Sequence, residues 1–138
     1  MAIQNIPPQP FTFIAATQPV CTSDVSSQVT PTRSGFLRNR VTGRYQQTLT
    51  LKNSSANPVT GPVSLVFDNL SSNATLFTTK TGNTACATPA GSPYLNIDIG
   101  ADNVLSSGEV ATVKLEFTNS ANQPINYGTR VLGGAGER

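Results

Sequence analysis

Between Arg44 and Lys52 the side chains alternate in character: Tyr45, Leu49 and Leu51 hold one set of positions, and Gln46, Thr48, Thr50 and Lys52 the other. Successive side chains of an extended chain point to opposite faces, so this order makes a strand with one apolar and one wet face. The same period of two recurs three times. Val63, Leu65 and Phe67 alternate with Ser64 and Asp68; Leu95, Ile97 and Ile99 with Asn96 and Asp98; Ala111, Val113, Leu115 and Phe117 with Thr112, Lys114, Glu116 and Thr118. No window carries the i, i+3, i+4, i+7 spacing of an amphipathic helix. Weaker strands are expected from Phe11 to Ala15, Asp24 to Thr30, Ala74 to Thr78 and Ile125 to Leu132, where β-branched and aromatic residues are common but less cleanly ordered.

The segments are separated by residues that tolerate tight or left-handed backbone: Asn39 with Thr42-Gly43, Asn57-Pro58 with Gly61-Pro62, Thr81-Gly82-Asn83 and Ser106-Ser107-Gly108. Thr, Ser, Asn, Gly and Pro fill 64 of the 138 positions, while charged residues make up 12%, about half the usual share. Seven or eight one-sided strands each have an apolar face to hide. Two antiparallel sheets packed face to face hide both, so the expected fold is an all-β, two-sheet β-sandwich, with a closed barrel as the alternative. A chain of this length buries roughly two thirds of its unfolded surface and supports one core. Residues 1–10, with three Pro and no periodic pattern, are expected to be a linker or partly ordered arm, and residues 11–138 a single domain.

Several functions are disfavoured by what is missing. There is no His, so a Ser-His-Asp triad, a Cys-His pair and His-ligated metals are all out of reach. A net charge of +2 is a poor footprint for duplex nucleic acid. No apolar run approaches the roughly 18 residues that span a bilayer, and the opening MAIQNIPPQPF has neither the basic nor the continuous apolar region of a signal peptide. No enzyme activity, cofactor, metal, nucleic acid or membrane insertion is expected.

Two cysteines are present, Cys21 before the first sandwich strand and Cys86 in a long loop rich in Thr, Ala and Gly. Both lie in polar, loop-like surroundings where a free thiol would be exposed. An even count in a polar β domain suits an oxidising compartment, so a Cys21–Cys86 disulfide is expected rather than two independent thiols. No CxxC motif and no cationic activator accompanies either residue.

The run Leu105-Ser-Ser-Gly108-Glu109-Val-Ala-Thr-Val113-Lys-Leu115-Glu-Phe117-Thr-Asn119 resembles immunoglobulin-like and fibronectin-III-like modules of secreted bacterial proteins, in which such a turn leads into an alternating strand. Similar stretches are Arg33-Ser-Gly-Phe36, Arg44 to Asn53, Gly61 to Phe67, Leu70-Ser-x-Asn, Gly91-Ser-Pro-Tyr94 and Arg130-Val-Leu-x-Gly133, together covering about residues 24–133. The resemblance implies an extracellular or cell-surface module of a larger protein, serving as spacer, adhesion unit or accessory domain, with a signal peptide and neighbouring domains outside these 138 residues. It names no ligand. The chain lacks the Trp and the two central-strand Cys of antibody domains.

Candidate sites are few. Arg33, Arg38, Arg40 and Arg44 are four of nine basic residues, gathered within 12 positions around Phe36 and Tyr45. A basic hairpin with aromatic residues could grip an acidic glycan, a nucleic-acid strand or an anionic surface. The preferred, plainer reading is a solvated hairpin whose Arg stems cover apolar surface while Phe36 and Tyr45 turn inward. Arg33, Phe36, Arg38, Arg40 and Arg44 are kept as the interaction patch. Asp98, Asp102 and Asn103 offer oxygen ligands for Ca²⁺ but also suit ordinary turns. Glu109 and Glu116 fall on opposite faces of one strand, which separates them as a glycosidase pair. Lys52 and Lys114, near Asn53 and Asn119, raise an isopeptide bond, yet both lysines fall on the wet face. Asn-x-Ser/Thr occurs at Asn53, Asn69 and Asn73, as chance allows in so Asn-rich a chain. The leading expectation is therefore a non-catalytic structural, adhesion or accessory module whose partners are neighbouring domains of its parent, with a surface protein or glycan as possible ligand. The alternative is a carbohydrate-binding module beside a secreted enzyme, which burial of all of Phe36, Phe77, Tyr94 and Tyr127 together with a glycan array showing no binding would end. A third reading is an edge strand that pairs with a partner chain.

Overall fold

The computed structural model describes residues 20–138, so the arm at 1–10 and the strand expected at Phe11 to Ala15 lie outside the described residues. In chain order the strands are β1 (Ser23–Asp24), β2 (Val29–Arg33), β3 (Leu37–Arg38), β4 (Tyr45–Asn53), β5 (Val59–Thr60), β6 (Val63–Asp68), β7 (Thr75–Leu76), β8 (Gly82–Asn83), β9 (Pro93–Ile97), β10 (Val104–Leu105), β11 (Val110–Thr118) and β12 (Gly128–Gly133). They form an antiparallel β-sandwich without helices among the described residues. One sheet has the order β1-β12-β6-β9-β8; the other is β2-β4-β11-β7, with β3 also paired to β4, and β10 and β5 make a small separate ladder.

The alternation read from the sequence builds the core. Leu49 and Leu51 of β4 and Leu115 and Phe117 of β11 are fully buried, and across from them lie Val63, Leu65 and Phe67 of β6, Leu95 and Ile97 of β9, and Val131 of β12 in one hydrophobic cluster. Burying each such side chain stabilises the fold by about 1.5–3 kcal/mol. Phe36, Phe117, Tyr127 and Phe67 form a chain of rings with successive centroids 5.8, 5.6 and 5.3 Å apart, filling one end of the sandwich.

Twelve strands are present among the described residues where seven or eight were expected, because six are two-residue pieces too short to leave a periodic signal. The run expected as one strand from Asp24 to Thr30 is split between the sheets. Asp24 Oδ1 accepts from the Ser26 amide and Val25 O from the Gln28 amide, and this turn sends β1 to one sheet and β2 to the other.

The expectation that each strand has one wet face fails at β6, where both faces are buried from Val63 to Phe67. Val66 and, beside it, Leu132 of β12 are covered although they lie outside the main cluster. The cover is organised by two arginines. Arg130 pairs with Asp68 at 2.6 Å and donates to the carbonyls of Thr88 and Pro89. Arg138 donates to Ser64 Oγ and to the carbonyls of Pro62, Gly134 and Gly136. Ala85 and Cys86 in turn donate their amides to the Arg138 carbonyl. The Thr84–Gly91 loop and the last five residues are thereby laid across the outer face, and the Cys21–Cys86 disulfide, with Cα atoms 5.5 Å apart, ties them to the segment before β1.

These connections give the sandwich two distinct ends. β4 starts at the β3–β4 hairpin and finishes at Asn53; β12 runs back from Gly128, opposite Asp68, to Gly133, opposite Val63. At the end away from the hairpin, here the base, Glu137 donates to Val20 O and Thr22 to Glu137 O, so the two segments lie side by side. A Cβ at Gly136 would come within 2.7 Å of Val20 O, and its φ of +123° suits glycine alone.

Candidate interaction surface

The hairpin end is shaped by a register change. β2 pairs with β4 so that Arg33 lies opposite Leu49, whereas β3 pairs with β4 one residue out of step, with Leu37 opposite Gln46 and Arg38 opposite Tyr45. Ser34 absorbs the extra residue: its amide donates to Thr48 O, its hydroxyl accepts from the Thr48 amide, and its carbonyl accepts from Gln47 Nε2. Such a bulge reverses which face each following side chain takes. Phe36 consequently packs edge-on against Phe117 inside, and Leu37 is turned to water, 73% exposed.

The tip is a defined turn rather than a loose loop. Asn39 Oδ1 accepts from the amides of Val41 and Thr42, Gly43 donates to Asn39 O from a left-handed φ of +76°, and the Asn39 amide donates to Arg44 O. This holds Arg40 and Val41 outward, Val41 being 94% exposed.

Across the outer face, Leu37, Gln46 and Glu116 follow one another on β3, β4 and β11, and Phe77 adjoins them by donating its amide to Glu116 O. Glu116 Oε2 accepts from Gln46 Nε2 at 3.2 Å and from Arg44 Nε at 3.4 Å. The Gln46 hydrogen bond, with smaller help from Arg44 and Lys114 against a desolvation cost, holds the Glu116 carboxyl below its usual range. Arg44 also lies 3.8 Å from the centroid of the Phe77 ring, a cation–π contact that covers one side of a residue otherwise 49% exposed. Beneath Phe77 runs an open groove of about 330 Å³ lined by Leu70, Leu76, Phe77, Lys80 and Pro93.

The arginines of the sequence patch therefore divide. Arg33 stacks 4.1 Å over the Tyr127 ring and donates to Tyr127 O at 3.0 Å. Beneath it the Tyr127 hydroxyl donates to Gln47 Oε1, and burial pushes the phenol up from its usual value. Arg33 is held over Tyr127 while still exposed, Phe36 is half-buried against Phe117, Arg44 braces Glu116 and Phe77, and Arg38 and Arg40 stand exposed. Leu37, Val41 and Phe77, three exposed large hydrophobic residues at the same end, were not singled out as a group from the sequence. The available signal was Leu37 and Val41 themselves, apolar residues set among Arg and Asn at a turn.

The remaining candidates are placed as follows. Asp98 Oδ1 and Asp102 Oδ1 cap local turns by accepting from the amides of Gly100 and Val104, and Glu109 accepts from Ser106. Lys52 and Lys114 are exposed on the outer face. Asn53 is buried with both side-chain atoms engaged: Nδ2 donates to Asn57 O and Leu105 O, and Oδ1 accepts from the Ser55 amide and hydroxyl. Asn73 and Asn119 bond each other at 3.1 Å. Tyr94 is half-buried over Gly82 and Tyr127 is buried. Comparison with protein-family models, curated proteins and solved structures finds no match for the chain.

Proposed function

We propose that the chain is a non-catalytic structural or adhesion module of a larger secreted or cell-surface bacterial protein, of the immunoglobulin-like or fibronectin-III-like kind that its sequence resembles. The observation that carries this reading is the separation of its two ends. The chain arrives at Val20 beside Glu137 at the base, while the apolar and basic hairpin lies at the opposite end of nine-residue strands, about 27 Å away at 3.4 Å per residue. An attached module of this shape presents the hairpin outward. The disulfide across the base, which suits an oxidising compartment, and the loop bound over β6 add to the support. The carbohydrate-binding alternative rests on Phe77, the exposed ring of the hairpin end, but Arg44 occupies one of its faces.

Trypsin shaving of intact source cells, with thiol alkylation before reduction, tests the proposal. Peptides of this chain should be released and Cys21 and Cys86 should escape labelling. Recovery in the cytosolic fraction with both thiols labelled would overturn it.

A further inference from the structure

The charges are sorted along the long axis. All seven carboxylates lie among the described residues, and the two nearer the hairpin, Asp68 and Glu116, are neutralised by Arg130 and Arg44. The other five, Asp24, Asp98, Asp102, Glu109 and Glu137, lie toward the base: Asp24 pairs with Leu132 near the end of β12, Asp98 to Glu109 follow β9 after Ile97, and Glu137 adjoins Thr22. Against them stand Lys52 and Arg138, the latter bonded to Ser64, Pro62, Gly134 and Gly136. At the hairpin end Arg38, Arg40 and Lys80 have no carboxylate partner among the described ion pairs.

Exposed apolar side chains follow the same division. Leu37, Val41 and Phe77 lie at the hairpin end, whereas Val110, 50% exposed beside Glu109, and Val20, 75% exposed beside Glu137, lie at the base. The hairpin end thus sets exposed apolar area beside cations that lack a carboxylate partner, whereas at the base five carboxylates outnumber Lys52, which lies opposite Val110, and Arg138, so the two ends differ in net sign.

We propose that the chain associates head to tail with further copies of itself, the hairpin end of one copy docking on the base of the next. This rests on reading the hairpin end as the outward contact surface. The occupant is argued from charge complementarity: Arg38 and Arg40, close to the exposed Val41 at the hairpin tip, meet Asp98, Asp102 and Glu109 at the base. A twofold pairing of hairpin ends would set Arg against Arg. A contact between two different surfaces does not close on itself, so assembly is open and linear. Complementary charge sets orientation and speeds encounter, and exposed pairs of this kind weaken with salt.

Sedimentation equilibrium of the 138-residue chain tests the proposal. At about 20 mM salt the weight-average mass should rise steadily with protein concentration, and at about 500 mM salt the association constant should fall by about tenfold or more. The R38E/R40E variant and the D98K/D102K variant should each stay monomeric, and an equimolar mixture should associate again, because each variant then offers the end the other needs. Asp98→Asn with Asp102→Asn keeps the turn-capping acceptors, and it should weaken association without changing the circular dichroism spectrum. A monomer at every concentration, a closed dimer, or association indifferent to these charges would overturn the proposal. Binding of the hairpin end only to an unrelated acidic protein would overturn it too. None of these results depends on where the parent protein resides, so the adhesion-module reading stands or falls separately.

Discussion

Replacing Cys21 and Cys86 by Ser isolates what the disulfide does. The bridge closes a chain of 65 residues, for which loss of denatured-state entropy stabilises by about 4 kcal/mol. For a domain of this size each kcal/mol moves Tm by about 3–5 °C, so C21S/C86S should melt about 12–20 °C lower. Its folded state should hardly change. Arg130 still holds the Thr88 and Pro89 carbonyls, and the Arg138 carbonyl still accepts from the Ala85 and Cys86 amides, which a Ser also supplies. Thermal melting by circular dichroism gives the shift, and amide exchange at Val66 and Leu132 shows whether the loop stays down. A loss of less than about 3 °C would refute the entropic argument. Fast exchange at those two residues at room temperature would refute the claim that the arginines hold the loop.

The other expectations concern single side chains. Arg130 above all, then Ser92, keeps the Asp68 carboxyl below its ordinary value of 3.8 despite a desolvation cost. A lowered folded pKa means that its stabilisation is complete above the unfolded pKa and is lost as pH falls through the folded one. Urea midpoints should therefore drop below about pH 4, and Asp68→Asn should flatten that drop; equal slopes in both proteins would contradict the assignment. Tyr127→Phe strands the buried Gln47 Oε1 and should cost about 1–3 kcal/mol in chemical denaturation. Leu115→Ala, at a fully buried position, should cost about 2–5 kcal/mol, while Lys114→Ala beside it on the wet face should stay within about 0.5 kcal/mol. Equal losses at 114 and 115 would mean that the alternation had been misassigned.

What could be read from the sequence, and what could not, follows from the range over which each feature is determined. The core was legible because burial with a period of two is a local property: Leu49, Leu51, Leu115 and Phe117 declare their face within a few residues. The cover over Val66 was not, since it depends on Arg130 and Arg138 finding main-chain carbonyls, and carbonyls have no residue type. A Val on the outward side of β6 was the one local hint. The placement of the arginines was not legible for a subtler reason. Closeness in sequence suggested that Arg33, Arg38, Arg40 and Arg44 share a surface, but a strand sends neighbours to opposite faces, and parity carries across a hairpin only if the register is known. Had β2 continued in its own register, Leu37 would have faced inward with Tyr45 and Phe36 outward with Gln46. The bulge at Ser34 exchanges them, burying the larger ring against Phe117 and leaving Leu37 in water. Exposing a Leu while folding a Phe away costs the isolated domain little core but leaves apolar area on the outer face beside Gln46. That favours a hairpin shaped by what it touches, and it makes Ser34 the residue whose loss should disturb the surface before it disturbs the fold.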